Sequence, residues 1–268
     1  MNENIGNAKL KIVCIQMESK LGCPDENFDR AVELLEEALK EQPDVIVLPE
    51  IFDNPGELKE RMTEFCCKDG DKIKARIGGF AKEHGVNIVA GSVSEMHNGK
   101  FYNTAFVFDR CGDCIATYDK IQLVYPGEFK YYTEGDSLCT FVLDGVKCGL
   151  IICNDLKFPE LARSLALDGI NILFVPSAWP EGSIFRMKAL RLARAIENQI
   201  FVVNCNSCSH SIGKVYGGQS AIIEPIGKII SSAGPTEEII SAECDLQMIE
   251  KCRAGGQSIF DRRHPELY

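Results

Sequence analysis

Four consecutive apolar residues, Val45-Ile46-Val47-Leu48, end at Pro49-Glu50, and this short run constrains the fold more than any other stretch. A strand that is apolar on both faces must be covered on both faces, so it belongs inside a layered sheet. The flanking sequence agrees. Lys9 to Met17 alternates, is rich in Ile and Val, and reads as a strand. Asp25 to Glu41 then carries Phe28, Ala31, Val32, Leu34, Leu35, Ala38 and Leu39 at helical spacing until Pro43-Asp44 stops it. The chain opens as β-α-β.

The alternation continues. A helix is expected over Asp71 to His84, closed by Gly85, followed by strands at Asn87 to Ser94, Phe101 to Asp109 and Ile115 to Leu123. Strands at Cys139 to Leu143 and Val146 to Cys153 precede a helix from Pro159 to Asp168, which Gly169 ends. Asn171 to Val175 and Ile200 to Asn204 read as strands around a Phe185 to Gln199 helix, and Gln219 to Ile223, Lys228 to Ser232 and Glu238 to Cys244 read as a closing run of strands. Helices between strands throughout argue a layered α/β fold with mixed sheets. No internal repeat or low-complexity linker interrupts the pattern, so residues 1–268 are expected to form a single domain.

Composition narrows the function classes. With 29 basic against 39 acidic residues the formal charge is −10, which repels phosphate backbones and anionic lipid, so neither nucleic acid nor a membrane surface is an expected partner. Met1 to Asn7 shows no cationic leader followed by an apolar core, and no apolar run approaches the ~18 residues of a membrane span. A cytoplasmic location is the expectation. The 13 cysteines are odd in number and irregularly spaced, and Cys14, Cys148 and Cys153 sit among apolar neighbours, so most read as reduced core thiols.

Three reactive side chains fall at or near the C-terminal ends of expected strands, where loops of α/β sheets gather ligands: Glu50, Lys120 within Tyr118-Asp119-Lys120-Ile121-Gln122-Leu123, and Cys153. They lie far apart in the chain, and only a fold can bring them together. A thiol becomes a strong nucleophile when a base takes its proton and nearby positive charge or amide dipoles favour the thiolate, roles open to Glu and Lys. The usual partner is His, but His84, His97, His210 and His264 fall near a helix end, in a turn, in a polar loop and in the tail. None has a comparable strand-end context.

Those residues carry a resemblance. Leu48-Pro49-Glu50, Tyr118 to Leu123, and Gly149-Leu150-Ile151-Ile152-Cys153-Asn154-Asp155-Leu156-Lys157-Phe158-Pro159-Glu160 resemble, in order, the three signature regions of the nitrilase, or carbon–nitrogen hydrolase, superfamily, in its amidase-like branch. Pro126-Gly127-Glu128, Glu134-Gly135-Asp136, Val175 to Pro180, Arg194 to Gln199, Gly218-Gln219-Ser220 and Pro225-Ile226-Gly227 extend the likeness from about Lys9 to Asp245. The resemblance implies a four-layer α-β-β-α sandwich, dimerised or further assembled across a helical face, that hydrolyses a non-peptide C–N bond. It implies Glu50 as general base, Cys153 as nucleophile, and Lys120 with the Asn154 backbone N–H as oxyanion donors. Glu128 then positions the lysine and substrate, and Trp179 falls toward the pocket. No metal or organic cofactor is implied.

The chain departs from the family pattern at Asn154, where the family often has an aromatic residue, at Lys157, often Arg, and at Gln122, often His. Glu181 to Met187 also differs from the basic and aromatic residues that follow the Trp-Pro pair in omega-amidases. The expected substrate is a small linear amide, with N-carbamoyl or nitrile hydrolysis as the alternatives on the same fold. A cysteine-rich metal-binding or redox-sensing protein without turnover is the alternative from another class. It rests on Cys111-Gly112-Asp113-Cys114 and Cys205-Asn206-Ser207-Cys208, which together offer four thiolates but lie far apart, the first pair on a polar turn. Cys205 and Cys208 follow a strand whose end faces the same way as Cys153, which leaves a place near the active site open to them.

Overall fold

Alternation along Lys9–Gln16 (β1) sorts its side chains into two cores. Leu10, Ile12 and Cys14 join Phe141, Cys148 and Phe174 in one cluster, while Val13, Ile15 and Met17 join Phe28, Leu35 and Phe80 in another. The computed structural model in which this is seen describes residues 9–55, 61–211 and 213–267. The stretch Met1 to Asn7, read above as lacking a leader, lies outside the described residues.

The first sheet takes β1, Val45–Val47 (β2), Cys67–Lys68 (β3), Asn87–His97 (β4), Lys100–Phe108 (β5) and Cys114–Asp119 (β6). The second begins with Cys139–Leu143 (β7), Val146–Leu150 (β8), Ile172–Ser177 (β9) and Phe201–Asn206 (β10). A small ribbon of His210–Ser211 (β11) and Lys214–Val215 (β12) follows. Ala221–Ile223 (β13) and Ile229–Ser232 (β14) then return to the second sheet, and Glu238–Asp245 (β15) to the first. The strand orders are β15-β1-β2-β4-β5-β6 and β14-β13-β10-β9-β8-β7. Each sheet has three parallel strands at its centre, β1-β2-β4 and β8-β9-β10, with antiparallel strands on either side and the short β3 adding a parallel pairing to the far end of β4. This is why the apolar run at Val45 has no polar face: all three residues of β2 are buried.

The sheets face each other and helices cover both outer faces, giving the α-β-β-α sandwich. Helix Pro24–Ala38 starts with proline in its first turn, followed by Asp25 and Glu26, where a fixed φ and negative charge suit a helix N-terminus. Its face of Phe28, Ala31, Leu34 and Leu35 packs on the first sheet. Helices Pro159–Leu167 and Ile184–Asn198 cover the second.

Several expected elements are redrawn. The Asp71 to His84 helix carries a π-turn at Lys74–Gly78, where the bare Gly78 backbone admits the Phe108 ring. The expected strands Ile115 to Leu123 and Val146 to Cys153 stop at Asp119 and Leu150: one further N–H of each still reaches a neighbouring strand, Lys120 N to Asn103 O and Ile151 N to Phe174 O, and beyond it the bonds go to loops, with Lys120 O accepting from Gly135 N and Ile152 N donating to Asp155. The strand begun at Asn171 instead runs on through Pro176 to Ser177. That proline is tolerated because β8 has ended and leaves that edge of β9 unpaired. The fold does not end on strands: helix Gln247–Arg253 and short 3-10 turns follow β15.

Candidate active site

Glu50, Lys120 and Cys153 each lie just past a strand, β2, β6 and β8 respectively, and the two facing sheets bring them to one pocket. The pocket, about 290 Å3, also holds Glu128, Asn154 and Trp179, so the six residues to which the resemblance gave roles all line it.

Two close approaches build the carboxylate and lysine positions. Gly91 sits at φ 58° in an irregular stretch of β4, where a Cβ would fall 2.0 Å from Pro49 O. The approach lets Ser92 N donate to Pro49 O and Ser92 Oγ accept from Ile51 N, fixing the backbone on both sides of Glu50. Gly135 likewise passes Asp119 O at a distance no side chain permits, and its N–H donates to Lys120 O at 2.9 Å.

Cys153 opens a 3-10 turn, Cys153–Lys157, at φ 47°. A non-glycine residue in the left-handed region costs about 1 kcal/mol or more and persists only where its surroundings hold it. Here Asp155 accepts from Ile152 N at 2.9 Å, and Arg194 donates from Nε and Nη2 to Leu156 O at 3.1 and 2.8 Å. The turn turns the thiol out of the sheet and into the pocket.

At the pocket floor Lys120 Nζ reaches Glu50 Oε1 at 2.7 Å and the two oxygens of Glu128 at 2.8 and 2.9 Å. Lys120 is 0% exposed, Glu50 3% and Cys153 7%. Glu50 Oε1 also accepts from Asn103 Nδ2 at 2.9 Å, and Glu128 Oε2 from Val124 N at 2.6 Å. Burial disfavours the lysine's charge, but Glu128 and Glu50 outweigh it and hold Lys120 protonated well above the usual lysine range. Burial and the Glu50 carboxylate push the Cys153 thiol well up, with Lys120 and the Ala178 backbone N–H pulling the other way. The resting group is therefore a thiol beside a carboxylate, arranged for proton transfer at the moment of attack rather than for a standing thiolate.

Trp179 follows β9, held by its N–H on Asn206 Oδ1 at 2.8 Å and its carbonyl on Gly217 N at 3.0 Å, with Lys157 Nζ 5.1 Å from the ring centre. Sequence reasoning missed Asn103, Tyr132, Ser183, Lys214 and Tyr216 around the pocket. Asn103 left a signal, a polar residue in the apolar strand Phe101 to Asp109. Lys214 and Tyr216 left none, because β11 and β12 are too short to show a period.

The second CxxC pair is not at the site. Cys205 lies within β10 with its thiol toward Ile15 O and Val47 O of the opposite sheet, at 3.2 and 3.5 Å, and neither it nor Cys208 lines the pocket. All 13 cysteines are free. Among the described residues, no group of three or more His, Cys, Asp or Glu is placed to hold a metal, and none of the four histidines lines the pocket. No helix among them is long and apolar enough to cross a membrane.

Known proteins share this arrangement of sheets and sequence. The carbon–nitrogen hydrolase family matches residues 11–254. The chain is 37% identical to the 2-oxoglutaramate amidase of Bacillus subtilis, over 97% of this chain and 100% of that protein. It is 32% identical to omega-amidase NIT2 of Xenopus tropicalis, over 91% of each. Among solved structures, Saccharomyces cerevisiae Nit3, a member of branch 10 of the nitrilase superfamily, superposes with a TM-score of 0.89 at 28% identity, covering 96% of this chain and 97% of that one. The chain belongs to the carbon–nitrogen hydrolase family, in its amidase-like branch, and is a hydrolase of amide C–N bonds.

Proposed function

We propose that the protein cleaves a small linear amide through a thioester on Cys153, and that the amide carries a carboxylate at its far end. One observation carries the mechanism: a buried lysine bridges two carboxylates at the floor of a pocket that a strained cysteine turn also enters. Glu50 takes the Cys153 proton as sulfur attacks the carbonyl carbon, and the C=O π pair moves onto oxygen. Lys120 and the Asn154 N–H stabilise that oxygen, the kind of preorganised donation that lowers such barriers most. Glu50 then returns the proton to nitrogen, the C–N bond breaks, and ammonia or an amine leaves. Water, deprotonated by Glu50, attacks the thioester, releases the acid and restores the thiol. Glu128 holds Lys120 with both carboxylate oxygens. No step requires a metal or organic cofactor.

The far end of the substrate meets positive charge. Lys157 and Lys214 line the pocket together with Tyr216 and Ser183, and they suit a carboxylate better than a neutral chain end. The names of two relatives, 2-oxoglutaramate amidase and omega-amidase, support the same substrate class. A homodimer or larger homo-oligomer, a cytoplasmic location and a single hydrolase domain over residues 1–268 complete the proposal.

Ammonia release from monoamides of short dicarboxylic acids, neutral amides of equal length, N-carbamoyl acids and nitriles tests it. The monoamides are expected to give the highest kcat/KM. Lys214→Met is expected to cost them about 10-fold, mainly in KM, and to leave neutral amides unchanged. Equal turnover of neutral and acidic amides overturns the substrate class. Release only from carbamoyl compounds or nitriles overturns the amide reading.

A further inference from the structure

Asn154 does more than supply a backbone N–H beside the nucleophile. Its side-chain Nδ2 donates to Gln122 O at 3.1 Å and Leu123 O at 3.2 Å, both on the loop that follows Lys120. Its neighbour Asp155 accepts from Gln122 N at 2.7 Å and from Tyr118 OH at 2.7 Å, on the two sides of Lys120. The two residues after the nucleophile thus grip the chain from 118 to 123 at four points. Val124 comes next, and its N–H holds Glu128, whose carboxylate holds Lys120 Nζ with both oxygens.

We infer that Asn154 and Asp155 form a clamp that registers the lysine loop against the nucleophile turn, making Asn154 a positioning residue for Lys120 and Glu128. The inference rests on the role proposed for Lys120, and it gives Asn154, one of the chain's departures from its family, a function the pocket lining alone does not. Asn154 Nδ2 has two protons and uses them on two backbone carbonyls, a pattern a carboxylate at the same place cannot reproduce. Lys120 and Glu128 approach the reacting atoms from a loop exposed at Val124 and Tyr125, so their placement depends on an anchor from below. A displacement of about 1 Å at such groups costs on the order of 100-fold in rate.

The test pairs Asn154→Ala and Asn154→Asp with two readouts. One is kcat and KM across the amide panel. The other is the pH profile of Cys153 alkylation by iodoacetamide, mapped by peptide mass, which needs no knowledge of the physiological substrate. The clamp predicts a kcat loss of about 10-fold in Asn154→Ala and about 100-fold in Asn154→Asp, equal for every amide, with KM little changed. It also predicts an alkylation profile moved to higher pH, because a displaced Lys120 stabilises the thiolate less. A loss that falls on KM and differs between amides, with an unmoved alkylation profile, makes Asn154 a substrate contact and overturns the inference. Unchanged kcat and alkylation in Asn154→Ala overturn it as well. If Asn154→Asp does not fold, Asn154→Ala decides alone, with its melting curve taken alongside. Absence of amide turnover in the parent protein counts against the proposed function, and the alkylation profile still decides the clamp.

Discussion

Cys153 and Cys205 are both buried thiols near the same end of the second sheet, one past β8 and the other within β10. Burial raises both well above the ordinary thiol range, so burial is not what separates them. Cys205 stays in the strand, and its thiol faces the carbonyls of Ile15 and Val47 and the thiol of Cys14. Cys153 has left the strand at φ 47°, and its surroundings are a carboxylate, an ammonium and a backbone N–H at a pocket floor. What separates Cys153 from Cys205 is the turn after the strand and the charge delivered from the other sheet, the two features on which the nucleophile proposed for Cys153 rests.

The largest effect that tests this contrast is Cys153→Ala, expected to lower ammonia release by about 10^4-fold or more with the melting temperature retained, against a change within about 2-fold for Cys205→Ala. Comparable losses in both would erase the distinction. Glu50→Gln should cost about 10^2 to 10^4-fold in kcat, since the amide cannot take the thiol proton. Lys120→Met should abolish turnover too, but with a stability loss of about 3–5 kcal/mol in urea titrations, because Glu50 and Glu128 are left buried without their cation. Near Cys205 no such charge is exposed by mutation, and Cys205→Ala should cost about 1 kcal/mol.

A smaller effect depends on pH. Asp53, three residues beyond Glu50, is fully buried, and burial raises its carboxyl to about 7 against the pull of nearby backbone N–H groups. The folded chain therefore binds this proton more tightly than the unfolded chain, whose value is the ordinary 3.8. The stability it contributes is present below that value and is lost as pH rises through about 7. Asp53→Asn is expected to be more stable than the parent by about 1–3 kcal/mol at pH 8, with the difference fading toward pH 4. A difference that does not change with pH would contradict the buried carboxyl.

The sandwich was legible in the sequence because its strands and helices bury periodic faces: Val45 to Leu48 could only be an interior strand, and Phe28 to Leu39 could only be one face of a helix. The positions of Glu50 and Cys153 were legible because each closes an apolar run, and that of Lys120 through the likeness of Tyr118 to Leu123 to a signature region of the family. Strand ends were less so. Tyr118 to Leu123 is stopped by bonding of Lys120 O to Gly135 and of Gln122 N to Asp155, which no local window contains, whereas Gly149 to Cys153 is stopped by a local turn in which Ile152 N donates to Asp155. The same limit hid Lys214 and Tyr216, whose place in the pocket follows from a ribbon of two-residue strands. Cys205 was misplaced for a simpler reason: it is still paired within β10, opposite Pro176, and its side chain enters the core between the sheets, whereas Cys153 has left β8 for the turn beyond it.

The most direct measurement is a rapid acid quench of the protein turning over a dicarboxylic monoamide, followed by intact mass and peptide mapping. The account predicts an added acyl mass on the Cys153 peptide that hydroxylamine removes, and no adduct in Cys153→Ala. An acyl group on a different cysteine, or sustained ammonia release from Cys153→Ala, would contradict it.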